Sequence, residues 1–377
     1  MGLGTSSVEM IGFLQPEFLR VSELRQAIRE THHLDEGTVV ARLLASADAV
    51  PIAAPQVKTR AEALVKAIRE EQKGKGGVDA LLKEFSLSTE EGIVLMCLAE
   101  DNDTADDLIR DKLMSGNWSS HLGQSDSLFV NASAWGLLMT GKVTRLSAVE
   151  QFQRLNGVQK TIGRLGEPVI RVAMKAAMEI MGTQFVLGTS IEQATKRGKK
   201  QEEEGYRYSF DMLGEGARTQ ADAEKYLASY KAAITVIGQS RHRDQVPGIS
   251  VKLSALHPRY EPHRDLDVLI ERLLSLALLA KSFAIGFTVD AEEASRLDMS
   301  LTVIESVFLS PLLAGWGDFG IAVQAYQKRA PAVLDWAINL ARQAGRVMNI
   351  RLVKGAYWDS EIKWAQQDGL FDYPVFT

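Results

Sequence analysis

The sequence predicts an α/β protein, a parallel β/α barrel with six strands in this chain, preceded by an all-helical domain. The first observation is a change of period after Gly182, where short runs of β-forming residues begin to alternate with helical segments. The second is spacing, because the strands from Gly248 onward recur every 29 to 36 residues. The third is that no glycine-rich GxGxxG turn follows any strand, which favours a barrel over a dinucleotide-binding doubly wound sheet.

Six runs of β-forming residues are the predicted strands. They are FVLG at Phe185, YRYSFDML at Tyr206, GISVKLSAL at Gly248, AIGFTVDAE at Ala284, FGIAVQAYQ at Phe319 and MNIRLVKGAY at Met348. Residues 219–237, 264–282, 300–309 and 330–344, which lie between strands, repeat apolar side chains at helical spacing.

The first half of the chain has a helical pattern. Residues 17–47 predict two short helices with a break at residues 32–37, and residues 49–58, which contain Pro51 and Pro55, predict a linker. Helical spacing resumes at residues 60–72 and recurs within residues 78–113, 128–141 and 167–181. We therefore predict a helical arm and linker over residues 1–58, an all-helical domain over 59–165 and the barrel over 166–377.

Composition narrows the function classes. The 377 residues carry 43 Lys and Arg against 48 Asp and Glu, a formal charge of -5 that gives no support to nucleic-acid binding. The single cysteine, Cys97, excludes an intramolecular disulfide and suits a reducing cytoplasm. No apolar stretch is long enough to span a bilayer, so we expect a soluble protein that can still dock on a membrane surface. No His and carboxylate cluster has the spacing of metal ligands.

Side-chain alternation gives four predicted strands one apolar and one polar face. In the strand at Gly248, for example, Ile249 and Val251 share one face, while Ser250 and Lys252 share the other. In a parallel barrel the apolar faces meet the helices, and the polar faces line the interior near the C-terminal mouth, where barrel enzymes do chemistry. The side chains expected to converge there are Lys252, Asp290, Gln324, Tyr326 and Arg351.

Arg351 is the most informative of these, because it interrupts an apolar strand whose opposite face, Ile350 and Leu352, should join the buried layer. A cation in such a place needs an anion or acceptor. One interpretation is an internal ion-pair network balanced by Asp290, and the other is a functional site. The same placement on four strands favours a site, and two cations suit an anionic substrate or cofactor but leave the reaction open. Lys354, at the strand end, is either a solvated residue or a phosphate contact.

Longer motifs carry a resemblance to a known family. The strings GISVKLSALHPRY, DAEEASRL, VQAYQKRAP and RLVKGAYWDSEIKWAQ resemble the proline dehydrogenase domain of the bifunctional proline utilization A flavoenzymes. SFDMLGEGA, RLGEPVIRVAMKAAMEIMG, SLFVNASAWGLL and EFSLSTEEGIVLMCLAE are similar to the same family. The resemblance extends from about residue 60 to residue 377, and the first fifty residues look like the helical arm of that family.

The resemblance implies a distorted (β/α)8-type barrel that holds non-covalent FAD. Such a protein oxidises L-proline to 1-pyrroline-5-carboxylate, the first step of proline catabolism, and passes the electrons to a membrane quinone. The family also implies a cytoplasmic enzyme that associates transiently and peripherally with the inner face of the plasma membrane, and a homodimer.

Site roles follow from the resemblance, motif by motif. It implies Lys252 at the proline carboxylate, Asp290 and Tyr357 in the substrate pocket, and Glu215 paired with a substrate-binding arginine. The implied catalytic residues are Arg351, beside flavin N5, and Asp290. The implied cofactor contacts are Gln324, Tyr326, Arg351, Lys354, Gly355 and Trp358.

The chain also departs from the family pattern. It has six predicted strands where the family barrel has eight, and it stops before the helix that supplies an arginine pair for the proline carboxylate. We therefore expect a fragment of a longer enzyme or a barrel completed by another segment. The ribbon-helix-helix and aldehyde dehydrogenase domains of family members are absent, so no nucleic-acid partner is expected from this segment. Alternative functions are a barrel lyase in which Lys252 forms a Schiff base, and an inactive flavin-binding or dimerisation module.

Overall fold

The computed structural model describes residues 21–48, 54–72, 186–241, 246–261 and 266–377. The chain divides into two compact units, one formed by Met1–Pro51 with Thr195–Thr377 and the other by Ile52–Ala194. The helices predicted between residues 78 and 181, and Cys97, lie outside the described residues. The domain division at residues 58 and 165 stays a prediction.

Two helices form the described part of the arm, as predicted. Helix α1 spans Val21–Glu30 and helix α2 spans Glu36–Asp48. Asp35 lies just before α2, and its carboxylate accepts from the backbone N–H and the hydroxyl of Thr38 at 2.7 and 2.8 Å. This side-chain cap explains why the second helix begins within the predicted break.

In the unit Ile52–Ala194, helix α3 spans Ala54–Gln72. The prediction of a linker through Lys58 is therefore wrong for its last residues. Pro55 lies in the first turn, where proline is tolerated because backbone N–H groups there have no intrahelical partner. It marks the start of a helix rather than a linker.

The predicted strand at Phe185 is wrong for its described residues, 186–188, which form no strand. Thr189 and Ser190 instead lead into helix α4, Ile191–Glu203. The Thr189 backbone N–H donates to Gln193 Oε1 at 2.8 Å, and the Gln193 backbone N–H donates to the Ser190 hydroxyl at 3.3 Å. These bonds favour a helix start over an extended strand.

The other predicted strands pair in one parallel sheet, which confirms the α/β class. They are β1 (Ser209–Asp211), β2 (Gly248–Val251), β3 (Gly286–Val289), β4 (Phe319–Gln324) and β5 (Asn349–Val353). Their order in the sheet is their order in the chain, as expected for consecutive β-α units. Within the described residues the sheet has five strands rather than six, β1 and β5 are its edges, and it does not close into a barrel.

Helices follow these strands, close to the predicted positions. They are α5 (Gln220–Ser240), α6 (Asp267–Ser282), α7 (Leu297–Phe308), α8 (Ala330–Ala344) and α9 (Trp358–Gln367). A capping box starts α5, since Thr219 and Asp222 exchange side-chain to backbone bonds of 3.1 and 2.8 Å. Gly345, with φ +59°, ends α8 in the left-handed conformation.

Burial confirms the predicted apolar faces of the middle strands. Ile249, Val251, Phe287 and Val289 are fully buried, and Ile321 is 1% exposed. The prediction fails on β5, where Ile350 is 37% and Leu352 58% exposed. The reason is position, because β5 is an edge strand of the described sheet and its apolar face is only partly covered.

Candidate active site

Charged side chains meet at the carboxyl edge of the sheet. The Lys252 ammonium, directly after β2, lies 3.1 Å from Asp211 Oδ2 at the end of β1. The same ammonium lies 3.6 Å from Asp290 Oδ2, directly after β3, and 3.8 Å from Glu215 Oε2. Three carboxylates, two from the end of β1 and the segment after it and one from the end of β3, therefore surround one ammonium, because parallel strands end at the same edge.

Arg351 in β5 extends this charge cluster. Its Nη2 pairs with Asp290 Oδ1, and its Nη1 donates to the Ser250 hydroxyl at 3.0 Å. The Ser250 hydroxyl lies 3.1 Å from the Ser209 hydroxyl of β1. Asp290, whose side chain is 13% exposed, thus lies between the cations of Lys252 and Arg351, which meet as the alternation predicts.

Burial and charge act against each other in this cluster. Burial lowers the pKa of Lys252, but Asp211 and Asp290 outweigh it, so the pKa lies above its ordinary value. Burial raises the pKa of Asp290 above its ordinary value, although Arg351 and Lys252 lower it. The ammonium is therefore held charged, while the aspartate is more easily protonated than an exposed carboxyl group.

Gln324 belongs to a buried polar group beside the charge cluster. Its side chain, at the end of β4, is 4% exposed, and its Nε2 donates to the Glu292 carbonyl oxygen at 2.8 Å. Its Oε1 accepts from the Ala356 backbone N–H at 3.0 Å. One amide N–H and one lone pair stay available for a further partner.

Glu292 is a deeply buried carboxylate near the strand ends. The residue is 5% exposed, and its Oε2 accepts from the Ser254 backbone N–H at 3.0 Å. Burial raises its pKa above the ordinary value, while the bonds from Ser254 lower it. The bond between Ser254 and Glu292 therefore links the segment after β2 to the segment after β3.

Tyr326, Gly355 and Tyr357 form a packed turn at the ends of β4 and β5. Gly355 has φ +131°, and a Cβ atom there would collide with the Tyr326 ring. The Tyr357 backbone N–H donates to the Tyr326 hydroxyl at 3.2 Å. Burial raises the pKa of Tyr326 to about 12, and burial with the nearby Glu215 carboxylate raises the pKa of Tyr357, so both phenols stay protonated at neutral pH.

Two predicted cofactor residues lie outside the charge cluster. Lys354 is exposed, and its backbone carbonyl accepts from the Tyr326 N–H at 3.1 Å. Trp358 is 46% exposed, and its indole N–H donates to the Phe376 carbonyl at 2.8 Å. Their cofactor contacts stay predictions.

Sequence reasoning missed Asp211 and Glu292. Alternation along SFD, with Phe210 buried, would have placed Asp211 on the same side as Lys252. Glu292 follows Asp290 by two residues, which is the same period continued past the strand end. Neither signal is strong, since each rests on two or three residues.

Among the described residues, no group of three His, Cys, Asp or Glu side chains is arranged to hold a metal ion. None of the described helices combines the length and apolar character needed to cross a bilayer.

A parallel sheet flanked by helices, with charged side chains converging at its carboxyl edge, defines an α/β enzyme domain. Three family models match this chain in succession: the proline utilization A proline dehydrogenase N-terminal domain over residues 22–69, the DNA-binding domain of proline dehydrogenase over 77–185, and proline dehydrogenase over 194–377. The chain belongs to the proline utilization A family of proline dehydrogenases.

Individual proteins with similar sequences belong to the same family. The bifunctional protein PutA of Salmonella typhimurium is 47% identical over 376 residues, which are 96% of this chain and 28% of that protein. PutA of Rhizobium meliloti is 49% identical over 365 residues, 94% of this chain and 29% of the relative. Proline dehydrogenase 1 of Bacillus subtilis is 27% identical over 178 residues, 47% of this chain and 52% of the relative. The chain thus spans little more than a quarter of the PutA relatives.

Solved structures show the same fold. A crystal structure of a Bradyrhizobium japonicum proline utilization A variant matches with a TM-score of 0.63 at 43% identity, covering 92% of this chain and 35% of that one. The Bdellovibrio bacteriovorus protein, at 22% identity and a TM-score of 0.59, covers 86% of this chain and 31% of its own, and supports the fold alone.

One expectation is corrected by the family models. The absence of a nucleic-acid partner does not hold, because the model described as a DNA-binding domain matches residues 77–185, outside the described residues. The expectation rested on the charge of the whole chain and on a missing ribbon-helix-helix segment. Neither observation bears on residues 77–185.

Proposed function

We propose that this chain carries the FAD-dependent oxidation of L-proline to 1-pyrroline-5-carboxylate. The observation that supports it best is the cluster of Lys252, Asp290 and Arg351 at the carboxyl edge of a sheet whose family is proline dehydrogenase. Lys252 offers an ammonium to the proline carboxylate, and its raised pKa keeps that ammonium charged. Asp290 fixes both cations relative to each other.

The residues present fit an FAD. Gly355 lets the backbone approach the Tyr326 ring closely, because a Cβ atom there would overlap the ring, and Gln324 retains an unused N–H and lone pair. Lys354 is exposed at the strand end, and Trp358 begins the following helix. The residues that would hold the cofactor are Gln324, Tyr326, Arg351, Lys354, Gly355 and Trp358.

When bound, FAD supplies the two-electron acceptor that removes two electrons from the substrate. The chain's own contribution is electrostatic. The Arg351 guanidinium, whose side chain is 42% exposed, is a fixed cation at the site where negative charge develops during the reaction. Tyr357, half-buried beside the turn, shapes the pocket, and Glu215 is the carboxylate that would pair with a substrate-binding arginine.

A spectroscopic experiment tests the activity. The purified chain, reconstituted with FAD, should show flavin absorbance that bleaches when L-proline is added without oxygen. The variant Lys252→Met should keep the flavin spectrum and raise KM for proline by about tenfold or more, because a charged hydrogen bond to the carboxylate is lost. Lys363→Met, an exposed lysine on α9, is the matched control. A colourless chain that cannot take up FAD would contradict the proposal.

The lyase alternative is less well supported. A Schiff-base lysine needs a lowered pKa, whereas Asp211 and Asp290 raise that of Lys252. Borohydride trapping of a keto substrate on Lys252 would reverse this preference.

We further propose, from the resemblance, that the electrons pass to a membrane quinone. In this proposal the protein is a cytoplasmic homodimer that associates peripherally with the inner face of the plasma membrane. Anaerobic bleaching by proline, followed by reoxidation with ubiquinone in phospholipid vesicles, tests the acceptor. Reoxidation by oxygen alone would contradict it.

A further inference from the structure

The arm is anchored to the same unit as the sheet. Helix α1 packs against α8, and its Leu24 and Ile28 are 1% and 0% exposed. Arg25 and Arg29 both pair with Asp298 of α7, at 2.7 and 3.1 Å. Apolar and ionic contacts together therefore fix the position of the turn that follows α1, residues 31–35, which we call the arm turn.

Lys328 makes an unusual contact with the arm turn. It lies in the β4–α8 loop, residues 325–329, is 3% exposed, and its ammonium donates to the Leu34 carbonyl oxygen at 2.9 Å. In the described part of the chain, no carboxylate forms a salt bridge with this ammonium. A buried ammonium needs an acceptor, so this bond holds the end of the Lys328 side chain against the arm turn, where the Asp35 carboxylate adds a longer-range attraction.

A second segment holds the same loop from another side. The Lys328 backbone N–H donates to the Pro374 carbonyl at 3.1 Å, and the Phe376 N–H donates to the Tyr326 carbonyl at 2.9 Å. This segment also reaches the arm, since the Thr377 backbone N–H lies 3.1 Å from Glu36 Oε2. The arm, the β4–α8 loop and residues 372–377 thus form one hydrogen-bonded network.

The β4–α8 loop adjoins the residues proposed to hold the flavin. Gln324 precedes it, Tyr326 lies in it, and the Tyr326 backbone N–H bonds to the Lys354 carbonyl at 3.1 Å. The Tyr326 ring lies against Gly355. A shift of this loop would therefore move Tyr326 and the turn at Gly355, both of which are proposed to hold the cofactor.

We propose that the arm turn is a positioning element of the flavin site, acting through the bond between the Leu34 carbonyl and Lys328. The identity of the ligand, FAD, rests on the proposed function. The positioning of the β4–α8 loop by the arm turn does not depend on it. Lys328 is a positioning residue, since it holds the loop and touches none of the charge cluster. The arm turn then contributes to the site, although Leu34 and Lys328 are 294 residues apart in the chain.

The variant Lys328→Met tests this role, because methionine keeps the length of the side chain and removes the donor. We expect the Kd for added FAD, measured by quenching of flavin fluorescence, to rise about tenfold, as for the loss of one charged hydrogen bond. Amide exchange at residues 326–328 should accelerate at least about fivefold in the apo chain. The unfolding midpoint should stay the same or rise, and Lys363→Met should change none of these values.

The outcomes separate the two proposals. If the parent chain takes up no FAD, the proposed function fails, and amide exchange alone decides the inference. Unchanged exchange and an unchanged Kd in Lys328→Met would overturn it. If that variant fails to fold, His33→Ala applies the same test from the arm, because the exposed His33 ring bonds to the Asp372 carbonyl at 2.9 Å. Faster exchange at residues 326–328 in His33→Ala supports the inference, and unchanged exchange overturns it.

Discussion

Asp211 holds the Lys252 ammonium through both of its carboxylate oxygens, at 3.2 and 3.1 Å. Its side chain is 43% exposed, whereas that of Lys252 is 16% exposed. The aspartate is therefore on the solvent side of the pair, from which the carboxylate of the proposed substrate would approach the less exposed lysine.

Replacing Asp211 should change the pH dependence of substrate binding. Asp211 raises the pKa of Lys252, so Asp211→Asn should lower it. Because the charged ammonium is proposed to bind the proline carboxylate, we expect KM for proline to begin to rise at a lower pH in the variant, measured between about pH 7 and pH 10. Asp359→Asn, on the exposed first turn of α9, is the control. If KM for proline rises at the same pH in the variant and the parent, Asp211 does not set the pKa of Lys252.

Gly355 and Gly345 offer a matched pair of substitutions. Both have positive φ, +131° and +59°, but only Gly355 has a neighbour, the Tyr326 ring, within reach of a Cβ atom. We expect Gly345→Ala to cost about 1 kcal/mol from backbone strain alone. Gly355→Ala should lower the free energy of unfolding by more than Gly345→Ala does. It should also lower the flavin content of the folded protein. The measurements are urea unfolding and the flavin to protein absorbance ratio, and equal losses in both variants would contradict the expectation.

At the scale of elements, the arm contains a partly buried titratable group, His32. Burial, Arg329 and His33 lower the pKa of His32 to about 3, and its Nε2 has no hydrogen-bond partner in the described structure. A histidine that is neutral when folded takes up a proton when unfolded below about pH 6.5. Its contribution therefore weakens the folded state as the pH falls from 6.5 towards 3.

His32→Gln should reduce the acid sensitivity of the arm. At pH 5 the linkage amounts to about 2 kcal/mol, so the difference in unfolding free energy between pH 8 and pH 5 should shrink by that order in the variant. Urea unfolding at the two pH values measures it. His257→Gln is the control, since that ring accepts a local backbone bond from Arg259 at 3.1 Å. A variant that loses as much stability as the parent on acidification would disprove this.

Helix and strand types were largely predictable, and the misses have local causes. The strands β2 to β5 and the helices after them follow the period of apolar residues. Pro55 misled because proline marks both helix starts and linkers, and the run at Phe185 misled because Thr189 and Ser190 cap a helix directly after it. Side-chain to backbone bonds of this kind compete with strand formation, and the spacing of apolar residues contains no information about them.

Strand length decided which members of the site could be predicted from the sequence. Alternation on the longer strands assigns Lys252, Asp290 and Arg351 to one side, and parallel pairing brings them together. Strand β1 has only three residues, so its period does not stand out around Asp211. The exposure of Leu352 was not predictable, because it depends on which elements cover an edge strand.

At the scale of the whole molecule, the open edge at β5 has a testable effect. Leu352 is 58% and Val347 65% exposed, so apolar surface borders unpaired backbone groups. We expect Leu352→Glu to lower concentration-dependent self-association, measured by sedimentation velocity, and to change the unfolding free energy by less than about 0.5 kcal/mol. Unchanged association would show that this edge is not the contact.

The arm contacts also set the order in which the molecule is completed. Arg25 and Asp298 are separated by 273 residues, and Glu36 and Thr377 by 341, whereas each strand of the sheet pairs with the next one along the chain. During synthesis the sheet can therefore grow strand by strand, while the arm needs partners that are made 273 to 341 residues after it. The arm turn is made before every strand of the sheet, yet it cannot reach its bond to Lys328 until strands β1 to β4 have been made.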